Sequence, residues 1–156
     1  MTNDSDRDRG TRYLGPGRFT RWVFNPIVSG LVRIGLPIAG ARQLQVRGRA
    51  SGEWRTVPVN PLEFDGRTYL VAPRGHTQWV RNLRAAGDGR LRAGRRVDEF
   101  TATELPDEAK PPIIREYLRK WAWEVGAFFD GLSADSSDAE LLEAAPGFPV
   151  FDVTIR

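Results

Sequence analysis

The 156-residue sequence contains no cysteine and only one histidine, His76. Without cysteine the chain forms no disulfide, offers no thiol nucleophile and supplies no thiolate to a metal or an iron–sulfur cluster. A lone histidine cannot build a histidine cluster, so no metal site is expected. The sequence also lacks a Walker loop, a GxGxxG turn and a nucleophile elbow around any serine. It therefore identifies no catalytic residue.

Lysine is scarce as well, whereas arginine is abundant: only Lys110 and Lys120 are lysines among 23 basic residues. The net charge of +3 is unevenly spread, with +6 over residues 40–100 and −6 over residues 101–156. A GC-rich coding sequence explains the arginine bias, but arginine also presents a planar fork that suits phosphate and carboxylate. The excess is modest and matches no nucleic-acid-binding module, so we expect no nucleic-acid partner.

The N-terminal residues divide into a polar and an apolar part. Residues 1–15 are predicted to form a disordered tail without the apolar stretch of a signal peptide, which favours the cytoplasm. Residues 18–39 are largely apolar but are interrupted by Arg21, Pro26, Arg33 and Pro37, so a membrane span is not expected. A helix over residues 26–34 is predicted to cover a sheet. The alternative is that this helix contacts a membrane surface from the side.

Alternating apolar residues and turn signals predict six strands in the rest of the chain. The strands are expected near residues 41–47, 54–62, 68–72, 90–93, 97–105 and 148–155. Asp65-Gly66 is a hairpin signal, and the second and third strands are predicted to pair in an antiparallel meander. Pro58 and Pro61 donate no hydrogen bond to a ladder, so they must lie at an edge, a bulge or a bend.

Three helices are predicted among these strands. The first runs over residues 77–86, capped by Thr77 and stopped by Gly87. The second runs from Asp107 or Pro112 to Val125, and the third covers residues 138–145 after the cap Ser137. Strands and helices do not alternate as βαβ units. The fold class is therefore α+β and mainly antiparallel, a six-stranded barrel-like sheet with peripheral helices, formed as one domain by residues 16–156.

Two turns are candidates for anion binding. Arg47 to Arg55 surround a Gly/Ser turn whose backbone N–H groups and arginines could bind phosphate or carboxylate, although a hairpin with solvated arginines explains the same pattern. Residues 72–76 (Ala-Pro-Arg-Gly-His) end a strand and lead into a helix, whose N-terminus favours anions.

Trp79 lies one turn into that helix, where it could stack on a flat ring or anchor the core. His76 is the only histidine and hence a candidate general base, but no carboxylate partner is identifiable, so a role in the turn is the simpler interpretation. The two turns together suit a large anionic cofactor with a flat ring, which would itself carry the chemistry.

The same residues resemble a known family. Residues 48–58 (GRASGEWRTVP) resemble the signature of the deazaflavin-dependent nitroreductases. Residues 74–87 (RGHTQWVRNLRAAG) are similar to that family's Trp-Arg-Asn-Leu helix, and Pro149-Val150-Phe151 to its closing strand. The resemblance implies a split β-barrel that binds coenzyme F420, whose deazaflavin ring passes hydride and whose tail carries phosphate and glutamates.

The resemblance also implies which residues bind the cofactor. Arg49 and Arg55 match residues that bind the tail in the family, and Arg74 stands where the family has a phosphate-contacting lysine. The implied contacts are Arg49, Ser51, Arg55, Pro58, Ala72, Pro73, Arg74, Gly75, Trp79 and Asn82. Ala50 departs from the family pattern, since many members have lysine there. Aromatic residues that could face the substrate are Trp22, Tyr117, Trp121, Trp123, Phe128 and Phe129.

The expected function is that of an F420-dependent oxidoreductase. Reduced deazaflavin would pass hydride to an electron-poor small molecule of the quinone, nitroaromatic or enone type. An FMN-binding split-barrel protein and a non-catalytic cofactor or lipid carrier at the membrane surface are the alternatives. The sequence leaves both a monomer and a homodimer open.

Overall fold

A computed structural model describes residues 42–125, 128–129 and 131–156. The predicted tail (residues 1–15) and the predicted helix over residues 26–34 lie outside the described residues. Trp22 and the side chain of Trp123 lie outside them as well.

The described part of the chain contains one sheet of seven antiparallel strands. The strands are β1 (Arg42–Arg47), β2 (Trp54–Val59), β3 (Leu62–Phe64), β4 (Arg67–Val71), β5 (Asp88–Ala93), β6 (Arg96–Glu104) and β7 (Val150–Ile155). Their order across the sheet is β2-β1-β5-β6-β7-β4-β3. The predicted α+β antiparallel class is confirmed, but the predicted number of six strands is wrong.

The additional strand arises because the predicted second strand is divided in two. β2 ends at Val59 and β3 begins at Leu62, with Pro61 between them, a residue that cannot donate to a ladder. The predicted meander is confirmed at its two hairpins, where β1 pairs with β2 and β3 pairs with β4, but it is wrong for β2, since the other neighbour of β4 is β7. Two residues connect β2 to β3, yet these strands lie at opposite ends of the sheet order.

This connection requires a strongly curled sheet. Seven strands laid flat would separate the outer two by about 29 Å, whereas the short link spans only about 10 Å. The sheet therefore curls into a half-barrel that brings β2 and β3 close to each other.

The turns follow the predicted chemistry. Asp65 and Gly66 have φ angles of 52° and 75°, as a two-residue hairpin turn with positive φ at both central positions requires. Pro58 lies in β2, an edge strand, opposite Gln43 of β1. An edge strand tolerates proline because one side of its backbone needs no partner in the sheet.

The helices begin and end close to the predicted positions. They are α1 (Gln78–Ala86), α2 (Pro111–Val125) and α3 (Asp138–Ala144), with 3₁₀ turns at Asp107–Ala109 and Ala145–Gly147. Gly87 ends α1 with a φ of 73°, and its N–H donates to the Leu83 carbonyl. Ser137 and Glu140 form a complete capping box at the start of α3.

Two hydrophobic clusters lie on opposite faces of β4 and β7. The first fills the half-barrel beneath α1 and contains Leu44, Val46, Leu70, Ala72, Val80, Leu83, Leu91, Phe100, Phe151 and Val153. The second lies between the other face and α2 and α3; its aromatic members are Tyr69, Tyr117, Trp121, Phe128, Phe129 and Phe148. Of the residues proposed to face a substrate, Tyr117, Trp121, Phe128 and Phe129 are thus buried in this second core.

Candidate cofactor site

The turn between β1 and β2 is held by its own hydrogen bonds. The Gly48 N–H donates to the Glu53 carbonyl at 2.7 Å, and the Gly52 N–H donates to the Gly48 carbonyl at 2.8 Å. Gly52 has a φ of 73°, a conformation that costs glycine little. The Arg47 guanidinium donates to the Gly52 carbonyl at 3.0 Å. The turn is therefore a fixed platform for the arginines around it.

Helix α1 anchors this platform through Asn82. The Asn82 side chain is only 5% exposed, and its Oδ1 accepts from the Arg49 backbone N–H at 3.1 Å and from Arg49 Nη1 at 2.8 Å. Arg49 Nη1 also donates to Gln78 Oε1 at 2.8 Å. Gln78 and Asn82 are four residues apart and share one helix face. The β1–β2 turn and α1 therefore face each other in a defined register.

A groove of about 720 Å³ lies between the turn, the edge strand β2 and the start of α1. Its volume is in the range typical of cofactor pockets. The lining residues are Val46, Arg49, Ala50, Ser51, Trp54, Arg55, Thr56, Val57, Gln78, Trp79 and Asn82. These lining residues include no aspartate, glutamate, histidine or tyrosine.

The arginines of the groove differ from most other arginines of the protein. Seven of the other described arginines form ion pairs with carboxylates: Arg42, Arg67, Arg84, Arg96, Arg115, Arg119 and Arg156. Arg49 and Arg55 form no ion pair with any described carboxylate. Their charge is therefore available to an anion, and the groove is an electropositive site.

Trp79 supplies the aromatic surface. It packs partly buried against the half-barrel core, with its ring 6.0 Å from that of Phe151 and tilted by 49°. The same side chain lines the groove. The two roles proposed from the sequence, core anchor and ring platform, are thus compatible in one residue.

The second predicted turn holds the N-terminus of α1. The Ala72 carbonyl accepts from the Gly75 N–H at 3.1 Å, and the Gly75 carbonyl accepts from the Thr77 N–H at 2.9 Å. Thr77 is the N-cap but makes no side-chain capping bond, so its buried Oγ1 has no partner. The first N–H groups of a helix also lack intrahelical acceptors. The first turn of α1, whose Gln78 and Trp79 line the groove, therefore offers N–H groups without intrahelical acceptors, an arrangement that suits an anionic group.

His76 is not among the residues that line the groove. Its Nε2 lies 3.0 Å from the Pro146 carbonyl, which only accepts, so Nε2 carries the proton. Arg84 Nη2 lies 3.5 Å from His76 Nδ1. Arg84 also donates two hydrogen bonds of 2.7 Å to Glu104, one from Nε to Oε1 and one from Nη2 to Oε2. These bonds lower the pKa of the Glu104 carboxyl. His76 thus ties the β4–α1 turn to the C-terminal segment.

The structure brings half of the predicted contacts into the groove. Arg49, Ser51, Arg55, Trp79 and Asn82 line it. The others, Pro58, Ala72, Pro73, Arg74 and Gly75, lie in β2 or in the β4–α1 turn and are not among its lining residues, so their role as contacts stays a prediction.

Trp54 and Gln78 line the groove and were missing from the predicted contacts. The position of Gln78 four residues before Asn82 was a signal for it, because side chains at that spacing share a helix face.

The seven-stranded antiparallel half-barrel with peripheral helices defines a split-barrel protein. The model of the F420H(2)-dependent quinone reductase family matches residues 21–125, and the chain belongs to that family. It is thus an oxidoreductase that uses coenzyme F420, and the resemblance found in the sequence is confirmed. No curated protein matches the chain.

Solved structures agree on the fold. A structure described as the F420-H2 dependent reductase FDR-A is 21% identical, with a TM-score of 0.51 over 74% of this chain and 94% of that one. A structure described as a domain-swapped dimer is 20% identical, with a TM-score of 0.55; the match covers 82% of this chain and 90% of that one. HutZ, the heme storage protein from Vibrio cholerae, is 11% identical, with a TM-score of 0.50; the match covers 85% of this chain and 89% of HutZ. Since one fold supports different functions, the site has to define the chemistry.

Within the residues that the structure describes, no helix is long and apolar enough to cross a membrane.

Proposed function

We propose that this protein binds F420 in the groove between the β1–β2 turn and α1 and reduces a small electron-poor molecule with it. Quinones are the substrate class that the family description favours. Nitroaromatic compounds and enones accept hydride in the same way and are the other two classes. The observation that carries the proposal is the pair of arginines, Arg49 and Arg55, that face the groove without any described carboxylate partner.

The residues present fit the cofactor. Arg49 and Arg55 offer planar cationic forks to phosphate or carboxylate groups, and Ser51 lies beside them in the groove. Trp79 offers an aromatic face to a flat ring. Gln78 and Trp79 place the N-terminus of α1, which favours anions, at the edge of the groove. When bound, reduced F420 supplies the hydride that reduces the substrate.

The protein itself contributes binding and orientation. Asn82 and Gln78 fix the direction of the Arg49 guanidinium, so that little side-chain freedom remains to be lost when an anion binds. The lining residues include no acid or base that titrates near neutrality. Among the described residues of the groove no side chain is placed to donate a proton, and solvent is the proton source that we propose for a quinone on its way to the hydroquinone.

A turnover assay tests this proposal. The purified chain is mixed with reduced F420 and a water-soluble quinone, and the return of oxidised-cofactor absorbance is followed against a reaction without protein. We expect protein-dependent oxidation with a quinone, and we expect Arg49→Ala to raise the KM for reduced F420 by about tenfold or more, as loss of a charged hydrogen bond predicts.

Arg95→Ala is the matched control. Arg95 is an exposed arginine of the β5–β6 turn that does not line the groove, so its removal should leave the KM unchanged. Activity with nitroaromatics or enones but not quinones would reassign the substrate class. No protein-dependent oxidation with any of the three classes contradicts the proposal.

A further inference from the structure

Beside the groove, two more arginines lie over the ring of Trp54. The guanidinium carbon of Arg90 is 3.6 Å from the ring centroid, and that of Arg47 is 4.3 Å from it. Trp54 is 37% exposed and also lines the groove. The tryptophan therefore connects the groove to this pair of cations.

The strand register explains why these side chains meet. Arg47 pairs with Trp54 across β1 and β2. Gln45 pairs with both Thr56 of β2 and Arg90 of β5, and paired residues share a face of the sheet. Arg55 and Val57, the residues that alternate with Trp54 and Thr56, point to the other face. The groove thus passes around the edge of β2, from the face covered by α1 to the face that carries Arg47 and Arg90.

Neither arginine of this pair is in direct contact with a carboxylate of the described residues. Arg47 and Arg90 form no ion pair with a described carboxylate, including Glu99, which lies directly opposite Arg90 on β6. The buried Nε of Arg90 has no hydrogen-bond partner. Each guanidinium gains a cation–π contact with the indole ring, which offsets part of the cost of lacking a carboxylate in contact. An anion bound beside the ring would provide an acceptor near Arg90.

We propose that Arg47 and Arg90, held over Trp54, form a second anion-binding point that takes carboxylates of the F420 glutamate tail beyond Arg49 and Arg55. The proposal rests on F420 binding in the groove. A multiply charged, flexible tail fits the geometry because the groove leads from Arg49 and Arg55, past the edge of β2, to Trp54. Planar guanidinium groups match carboxylates, and stacking on an indole ring holds them in a fixed orientation.

Binding titrations with two forms of the cofactor test this assignment. Wild-type protein and Arg47→Gln/Arg90→Gln are titrated with F420 carrying its glutamates and with the form that ends before the first glutamate. We expect the double variant to bind the complete cofactor about tenfold more weakly, equivalent to about 1.4 kcal/mol. Its affinity for the truncated cofactor should fall less than its affinity for the complete one. Arg90→Gln alone, which leaves the hydrogen bond from Arg47 to the Gly52 carbonyl in place, should bind the truncated cofactor within twofold of wild type. Salt should weaken binding of the complete cofactor more steeply than that of the truncated one.

Two further variants make the outcomes decisive. Arg47→Lys/Arg90→Lys keeps both charges and should retain most of the preference for the complete cofactor. Arg95→Gln removes an exposed arginine outside the groove and should change neither affinity.

Equal losses for both cofactor forms, or no loss for either, overturn the assignment of Arg47 and Arg90. If the wild-type chain binds neither form, the proposed function fails together with this inference. If it binds both forms equally, only this inference fails.

Discussion

Replacement of Asn82 tests whether α1 positions the arginine of the β1–β2 turn. The buried Asn82 carboxamide accepts from both the backbone and the side chain of Arg49. Asn82→Ala removes the acceptor for both bonds and leaves a small cavity under the turn. The platform that presents Arg49 to the groove should then lose its register with the helix.

The size of the effect follows from the two hydrogen bonds. A neutral bond to the part-buried Arg49 N–H contributes about 1 kcal/mol. The bond from the exposed guanidinium adds a similar amount, because Gln78 remains as an alternative acceptor and solvent screens the charge. Asn82→Ala should therefore lower the free energy of unfolding by about 2 kcal/mol, and Tm by roughly 4–8 °C for a chain of this length.

Asn82→Asp distinguishes the role of residue 82 in positioning Arg49 from the role of the Arg49 charge in binding the cofactor. A carboxylate keeps the acceptor and pairs with the Arg49 guanidinium, which offsets much of the cost of burying its charge, so the variant should remain folded. The same carboxylate places a negative charge beside Arg49 and should weaken F420 binding about tenfold or more. The alanine variant is thus destabilised, whereas the aspartate variant is folded but binds poorly.

Urea unfolding followed by circular dichroism and F420 titration followed by fluorescence measure the two effects. If Asn82→Ala unfolds at the same urea concentration as wild type and binds F420 with the same affinity, Asn82 does not position Arg49. If Asn82→Asp binds F420 as tightly as wild type, the charge of Arg49 is not what attracts the cofactor.

Two further predictions concern the sheet and its charges. Gly89→Ala places a methyl group 2.8 Å from the Gln45 carbonyl oxygen and 2.9 Å from Phe100 Cζ. The free energy of unfolding, measured in urea, should therefore fall by about 1–3 kcal/mol. An unchanged urea midpoint refutes this prediction. The Arg84 hydrogen bonds lower the pKa of Glu104 from 4.5, so their stabilisation is present above that pH and is lost as the pH falls through the lowered pKa. Arg84→Gln should therefore cost up to about 1 kcal/mol at neutral pH and progressively less in acid, as measured by unfolding at several pH values. A difference that does not vary with pH contradicts the assignment.

Local structure could be predicted well where one short segment specifies it. Gly87 ends α1 because its positive φ costs glycine little. Ser137 and Glu140 cap α3 through their own side chains. The predicted number of strands was wrong because the pairing of the segment around Pro61 depends on the whole sheet. Pro61 signalled a bend, but only the curled sheet separates β3 from β2 and pairs it with β4.

The candidate site likewise has features that the sequence predicts and features that depend on the folded sheet. The Gly/Ser turn and the Trp-Arg-Asn-Leu helix could be recognised from sequence because each is contiguous. The contact between Arg49 and Asn82 joins residues 33 positions apart, and the arrangement of Arg47 and Arg90 over Trp54 depends on the register of three strands. Which arginines stay without a carboxylate partner is therefore a property of the folded sheet, and composition alone does not predict it.

The most direct test of the central claim, that Arg49 and Arg55 hold the cofactor, is an equilibrium titration with F420 at low and moderate salt. Wild-type protein should bind F420 saturably below tens of micromolar, in a salt-sensitive way. Arg49→Ala/Arg55→Ala should bind at least about tenfold more weakly, while Arg95→Ala matches wild type. Undiminished affinity in the folded double variant would contradict the account.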